Sequence, residues 1–342
     1  MSKERSELSS LGEFGLIRHL SEKIKLQHPD TIKGIGDDAA VVKAGEKNLL
    51  LTTDMLLEGI HFDLRYVPLR HLGYKAIAVN VSDIAAMNGK PAQALVSIAL
   101  SNRFSLEAVD ELYAGMNAAC RDFGVDLVGG DTSSSASGLM ISVTLTGFAA
   151  PDKVVYRSGA GNNDIICVTG DLGAAYAGLQ ILEREKEVFL SNPEAQPDLQ
   201  KSDYVVGRQL KPAARMDIIH EFEEMGLVPT SMIDISDGLA SELFHIATQS
   251  GLGVKIFEDK VPIDHQTYET AIEFNMDPIT FALNGGEDYE LLFTVKQADL
   301  EKIKNHPDIH LIGHMHSTKG EHLMITKAGH QVALKAQGWA HF

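Results

Sequence analysis

The stretch Gly34–Asp63 constrains the fold of this chain more than any other. It reads GIGDDAAVV, a short turn, then LLLTTDMLLEGIHFD. Two β-rich runs, Ala39–Val42 and Leu49–Thr53, flank Lys43–Asn48, where Gly45 and Asn48 mark a hairpin loop. Asp37 and Asp38 precede the first run and Asp54 follows the second, so antiparallel pairing brings the acids together. Carboxylates that close repel one another, and one is pushed toward protonation unless a cation intervenes. Oxygen donors from aspartate, with the hydroxyls or carbonyls of Thr52 and Thr53, suit Mg²⁺ or Ca²⁺. Gly34–Ala39 also matches the G-x-G-x-x-A spacing of a dinucleotide-binding turn, but that turn needs a strand before it and a helix after it. Here a strand-like run follows, and two carboxylates would face the pyrophosphate. The glycines are read instead as a tight backbone beside a metal site.

Acids recur at element ends along the rest of the chain. The apolar spacing of Phe14, Ile17, Leu20 and Ile24 predicts a helix over residues 11–27. A second helix is predicted over 70–89, with Leu72, Ala76, Val79 and Asp83 on one stripe. Asp83 therefore lies on the face that should be apolar, and a buried carboxylate there needs a cap, a backbone donor or a cation. Ser105 is the expected cap of a helix running to about Phe123. Val125–Val128 reads as a short strand ending in Gly129-Gly130-Asp131-Thr132, which puts Asp131 at a strand terminus where glycines let a ligand approach. Further on, MIDIS leads into a helix at Leu239–Thr248, with Asp234 and Ser236 on one face and Asp237 at the turn. Asp237 alone suits a helix N-cap, a role that does not extend to Asp234. Asn284–Glu290, NGGEDYE, is a third acidic loop, and its Glu287 and Asp288 precede a strand at Leu291–Val295.

Composition narrows the function. The chain has 342 residues with 30 basic against 47 acidic side chains, a net charge of −17. That argues against nucleic acid as a partner, since backbone binding needs a basic footprint. It suits phosphate chemistry only if metal ions carry the positive charge. Cys120 and Cys167 sit in apolar contexts and are expected as free buried thiols in a reducing, cytoplasmic setting. Met1–Ser10 is polar, so no signal peptide is expected, and no apolar run is long enough for a membrane span. Gly, Ala, Asn and charged residues at 149–163 mark an expected boundary between a domain at 1–150 and one at 151–342, with Arg157 in that permissive loop. Strands and helices alternate in the second half, and 187–202 reads as a surface insertion. Neither a P-loop nor an H-E-x-x-H site occurs; Gly89-Lys90 is followed by Pro91. Acidic strand ends in both halves point to metal-assisted phosphoryl chemistry in a multi-metal cleft between domains or subunits.

GIGDDAAVV, Thr52-Thr53-Asp54 followed by GIHF, VNVSDIAAM, VGGDT, YRSGA, VTGDLG, IDISDGL, GGEDYEL and the closing GWAHF, in that order, resemble the thiamine-monophosphate kinases. These are a branch of the aminoimidazole-ribonucleotide-synthetase-like superfamily, whose members cleave ATP in an acidic, magnesium-filled groove without a P-loop. The resemblance implies a two-domain α/β (α+β) fold with mixed sheets flanked by helices, and a homodimer paired through the N-terminal sheets. It implies transfer of the ATP γ-phosphate to thiamine monophosphate, directly and in line, with several Mg²⁺ ions. Carried over by motif, Asp37, Thr52, Thr53, Asp54, Asp83, Asp131, Asp234 and Asp237 are the expected metal ligands. Gly130, Asp131, Arg157 and Ser236 are the expected ATP contacts, joined by Tyr113 on helix position alone. His61, Glu287 and Trp339 are the expected substrate contacts, with Asp54, Asp131 and Arg157 closest to the chemistry. Trp339 has a physical rationale, since a thiazolium or aminopyrimidine ring can lie on an indole face. The resemblance assigns no role to Asp38 or Asp288. Two other readings remain: a sister ATP-dependent enzyme with another acceptor, and a non-catalytic sensor of thiamine phosphates or nucleotide.

Overall fold

The computed structural model describes residues 12–22, 24–194 and 199–337. Trp339 lies outside the described residues.

The first half comprises α1 (Gly12–Ser21), β1 (Thr31–Lys33), β2 (Ala40–Ala44), β3 (Lys47–Leu57), α2 (Leu69–Ala86), β4 (Lys90–Leu100), α3 (Leu106–Phe123), β5 (Asp126–Ser134) and β6 (Met140–Ala149). The expected hairpin is present, with Ala40 opposite Leu51 and Ala44 opposite Lys47. The strands form one sheet in the order β1-β2-β3-β6-β4-β5, antiparallel except for the β4–β5 pair that α3 connects. Period-two alternation gives that sheet two unlike faces. Leu50, Thr52 and Leu56 of β3 turn inward, while Thr53 and Met55 turn outward. The inner face is covered by α2, which also packs on α3 and on the second half. Burial runs almost unbroken from Leu72 to Ala86, as expected of a helix enclosed on all sides. The outer face carries Met55 (52% exposed), Leu95 (48%) and Met140 and is uncovered by any described residue.

The second half comprises β7 (Ile165–Thr169), α4 (Ala174–Ser191), α5 (Asp203–Leu210), α6 (Met216–Met225), β8 (Ser231–Asp234), α7 (Leu239–Ser250), β9 (Gly253–Phe257), α8 (His265–Glu273), α9 (Pro278–Asn284), β10 (Leu291–Val295), α10 (Leu300–Ile303), β11 (Ile309–His316), β12 (His322–Ile325) and β13 (Gln331–Ala333). Its seven strands run β13-β12-β9-β11-β7-β10-β8, with only β9–β12 parallel. The central strands are buried on both faces, so β10 reads as a continuous apolar run. Cys167, Met232 and Phe293 face a core shared with the first half. Ile166, Ile233 and Leu292 face a second core under α7 and α9.

Three expectations are corrected here. The first helix ends at Ser21 rather than near residue 27, and Ile24 and Leu26 are exposed. A helix this short gains little without packing for its apolar stripe. Strand β5 runs through Gly129-Gly130-Asp131-Thr132, so Asp131 lies within an edge strand and not at its end. Gly130 is required by β4, because a Cβ there would stand 1.7 Å from the Val96 carbonyl oxygen. At the expected surface insertion, α4 continues to Ser191 and residues 195–198 lie outside the described residues.

Candidate active site

Three carboxylates from three separate elements meet where the halves join. Asp38 precedes β2, Asp83 projects from α2 and Asp234 ends β8, and one oxygen from each lies within 4.8 Å of the others. The Thr52 hydroxyl donates to Asp83 Oδ2, and the Ser82 hydroxyl donates to Asp234 Oδ2 at 2.6 Å. The Arg157 guanidinium donates to Asp38 Oδ1 from Nε (3.1 Å) and from a terminal nitrogen (2.6 Å). The Arg157 backbone N–H donates to Asp37 Oδ1 at 3.0 Å. Asp38 Oδ2 is buried and has no hydrogen-bond partner among the described residues. Asp54 shares the inner face of β3 with Thr52 and adds its charge to the field at Asp83 and Asp234.

Burial pushes these acids up. Asp38 is held at about 7 against the pull of Arg157, and Asp54 and Asp234 at about 6. Asp83 is raised well above its ordinary value by burial and then by the carboxylates of Asp54, Asp234 and Asp38. An all-oxygen donor set, an orphaned buried carboxylate oxygen and mutual repulsion together fit a hard divalent cation.

Two loops close over the cluster. Beyond β8, Glu242 is buried in the first turn of α7 and accepts the Asp237 backbone N–H at 3.0 Å. Gly238 is the N-cap of α7 and no side chain caps the helix, so Asp237 does not take the capping role its position suggested. The GGEDYE segment is laced to residues 235–236. Glu287 N–H donates to the Ser236 carbonyl at 2.7 Å, and Tyr289 N–H donates to the Ile235 carbonyl at 2.9 Å. Gly286 has φ +73, and a Cβ there would stand 2.5 Å from the Ser236 carbonyl oxygen. Glu287 and Tyr289 also take left-handed backbone, at φ 59 and 54. The Glu287 carboxylate is gripped from both sides, by Lys75 Nζ at 2.7 Å and by Gln209 Nε2 at 2.7 Å.

The first half, residues 36–149, matches the AIR synthase related protein N-terminal domain family, and residues 161–325 match the corresponding C-terminal domain family. A thiamine-monophosphate kinase of Aquifex aeolicus is 36% identical over 335 residues, covering 98% of this chain and 99% of that relative. One of Bacillus subtilis is 34% identical over 342 residues, covering 97% of this chain and 100% of that relative. The chain belongs to the thiamine-monophosphate kinase family. The solved structure of AaThiL complexed with AMPPCP and TMP superposes with a TM-score of 0.83 at 34% identity, covering 99% of this chain and 100% of that one.

The remaining residues that the family resemblance singles out are distributed as follows. His61 lies in the turn after β3, and its Nδ1 accepts the Leu57 N–H at 3.0 Å. That leaves the proton of the neutral ring on Nε2. Ser236 is exposed, two residues beyond Asp234. Tyr113 is half-buried on α3. Thr53 faces away from the cluster, its hydroxyl donating to the Val143 carbonyl at 3.0 Å. Gly130 and Asp131 lie on the edge strand β5, and Asp131 pairs with Ser97 on the open face. Three strand spacings of about 4.8 Å separate that strand from β3, so within one chain Asp131 stands apart from the cluster.

The two acids without an assigned role acquire one. Asp38 is a member of the cluster. Asp288 caps α4 from far along the chain, accepting Gly173 N–H at 2.7 Å and Ala175 N–H at 3.2 Å. Sequence reasoning passed over Lys75, Gln209, Glu242 and Tyr289. Burial, with the carboxylates of Glu287, Asp54, Asp234 and Asp83 around it, holds the Tyr289 phenol well above its ordinary value. A lysine within an otherwise apolar helix stretch was the one signal available, at Lys75.

Proposed function

We propose that the chain transfers the γ-phosphoryl group of ATP to the phosphate of thiamine monophosphate, giving thiamine diphosphate and ADP. The observation that carries this reading is the convergence of Asp38, Asp83 and Asp234 in a chain whose relatives are thiamine-monophosphate kinases. The bond from the γ-phosphorus to the ADP oxygen breaks as an acceptor phosphate oxygen bonds to that phosphorus, without a phosphoenzyme. The acceptor is already an anion, so no strong general base is needed. The difficulty is bringing two anions together. Mg²⁺ ions, when bound, would supply the positive charge that this chemistry needs. Asp37, Asp54, Asp83, Asp234 and Asp237, with Thr52, are the residues that would hold them, and the orphaned oxygen of Asp38 adds a further donor.

Arg157 is the cationic side chain nearest this chemistry, kept in place by Asp38 and still partly open to the cleft. Tyr113, Gly130, Asp131, Arg157 and Ser236 are assigned to the nucleotide, and His61, Glu287 and Trp339 to thiamine monophosphate. His61 would meet the acceptor as an imidazole whose Nδ1 is held by the Leu57 N–H. The apolar open face of the first sheet supports a homodimer paired there, and on that reading Thr53 and Asp131 lie at the subunit interface. Residues 1–150 are the nucleotide, metal and dimerisation domain, and 151–342 complete the substrate site. Among the described residues no helix is long and apolar enough to cross a membrane. The two buried free thiols suit a reducing cytoplasm.

The test is an ATP-dependent conversion assay with thiamine monophosphate and excess Mg²⁺, resolving products by chromatography. Thiamine diphosphate and ADP in equal amounts are expected. ADP and inorganic phosphate without thiamine diphosphate would indicate a sister enzyme with another acceptor. Bound Mg-ATP without turnover would indicate a sensor.

A further inference from the structure

Helix α2 carries a second functional residue two turns before Asp83. Lys75 is buried, its side chain about 4% exposed, and its ammonium lies 2.7 Å from Glu287 Oε1 and 3.4 Å from the Gln209 carbonyl oxygen. A buried ammonium without partners is costly, so this contact between the halves is an obligate one. Gln209 Nε2 holds the other oxygen of Glu287 at 2.7 Å. We propose that Lys75 is a positioning residue that orients Glu287 to read the ring end of the acceptor, at a distance from the acid cluster set by α2.

The proposal rests on the kinase reading and deepens it. Each oxygen of Glu287 accepts one bond from the clamp, and each retains a lone pair. The Glu287 side chain is 29% exposed, so the clamp leaves it open to an incoming ligand. An amino-substituted ring presents N–H donors of the kind such lone pairs accept. Lys75 also neutralises the carboxylate, which makes it a directional acceptor and a poor trap for a free cation. Eight residues, just over two turns, separate Lys75 from Asp83 along α2, a backbone rise of about 12 Å. That is the order of length of a molecule built from two linked rings and a phosphorylated side arm. One rigid, enclosed helix therefore holds the ring end at Glu287 while the phosphate reaches the acids.

The test is steady-state kinetics on the full chain with Lys75→Met, Glu287→Gln and the double variant. Lys75→Met is expected to raise KM for thiamine monophosphate roughly tenfold or more, leaving KM for ATP and kcat at saturation within about twofold. If Lys75 acts through Glu287, the double variant is no worse than Glu287→Gln alone. Equal losses for ATP and thiamine monophosphate, losses that multiply in the double variant, or wild-type KM in Lys75→Met would each overturn the proposal. Should Lys75→Met fail to fold, Gln209→Met removes the other half of the clamp, and the same selective rise in KM is required of it. If the wild-type chain forms no thiamine diphosphate, the kinase reading fails by itself. Calorimetric binding of thiamine monophosphate then decides the clamp separately, since the Lys75 variant must bind it more weakly than wild type.

Discussion

Replacing Asp54 by asparagine should move stability and activity in opposite directions. Asp54 lies among buried carboxylates and is held at about 6 against an ordinary 3.8, chiefly by burial. That rise corresponds to an upper bound of about 3 kcal/mol, and about 2 kcal/mol is expected because the side chain is partly open to water. The sign follows from proton linkage. A carboxyl with a raised folded-state value binds its proton more tightly when folded, so its contribution is intact below pH 4 and is lost as pH rises through 6. Asparagine keeps the shape and never ionises. Metal-free Asp54→Asn should therefore match wild type near pH 4 and exceed it by about 2 kcal/mol at pH 7.5. Urea denaturation in chelator at both pH values measures this. Millimolar Mg²⁺ should then stabilise wild type, by about 2.7 kcal/mol at a hundred times its dissociation constant, and the variant far less. Formation of thiamine diphosphate should fall with the lost ligand. A stability gap that is absent at pH 7.5, or the same at both pH values, would refute the argument that burial of charge is what the metal relieves.

Three further outcomes are expected. Asp288→Ala leaves the Gly173 and Ala175 N–H groups without their acceptor, and should cost about 2 kcal/mol or more in urea denaturation; a change under about 0.5 kcal/mol would contradict the capping role. Arg157→Lys cannot reproduce two bonds from one planar fork to Asp38, and should lower kcat in the conversion assay. Undiminished turnover in that variant would remove Arg157 from the chemistry. Leu95→Glu puts a charge on the open face of the first sheet and should shift light-scattering mass from two chains to one, with an unchanged circular dichroism spectrum. A wild-type mass of one chain would exclude the dimer.

Local signals in the sequence were faithful where a single element carried them. The acid-flanked hairpin is present, Ser105 caps α3 through the Ala108 N–H, and Asp83 does stand on the buried side of α2. The order of motifs led to the family that the comparisons identify. What stayed hidden depends on partners far apart in the chain. Strand β5 is extended by pairing with β4, although its glycines and serines have little β propensity of their own. Asp288 finds its helix 113 to 115 residues away, so no local cap pattern reveals it. The left-handed backbones of Glu287 and Tyr289 are imposed by the lacing to residues 235–236, and neither residue type announces such a conformation.

The acid cluster also has a history within each molecule. Asp38 and Asp83 belong to the first quarter of the chain, while Asp234, which receives the Ser82 hydroxyl, lies 152 residues beyond that serine. During synthesis the first half leaves the ribosome with Asp38 and Asp83 already made and their third companion not yet made. The three-acid cluster is therefore complete only in a chain whose late strand β8 has docked against α2. On the proposed reading, loss of that docking would dismantle the cation site, which would make its occupancy a report on the completeness of the fold.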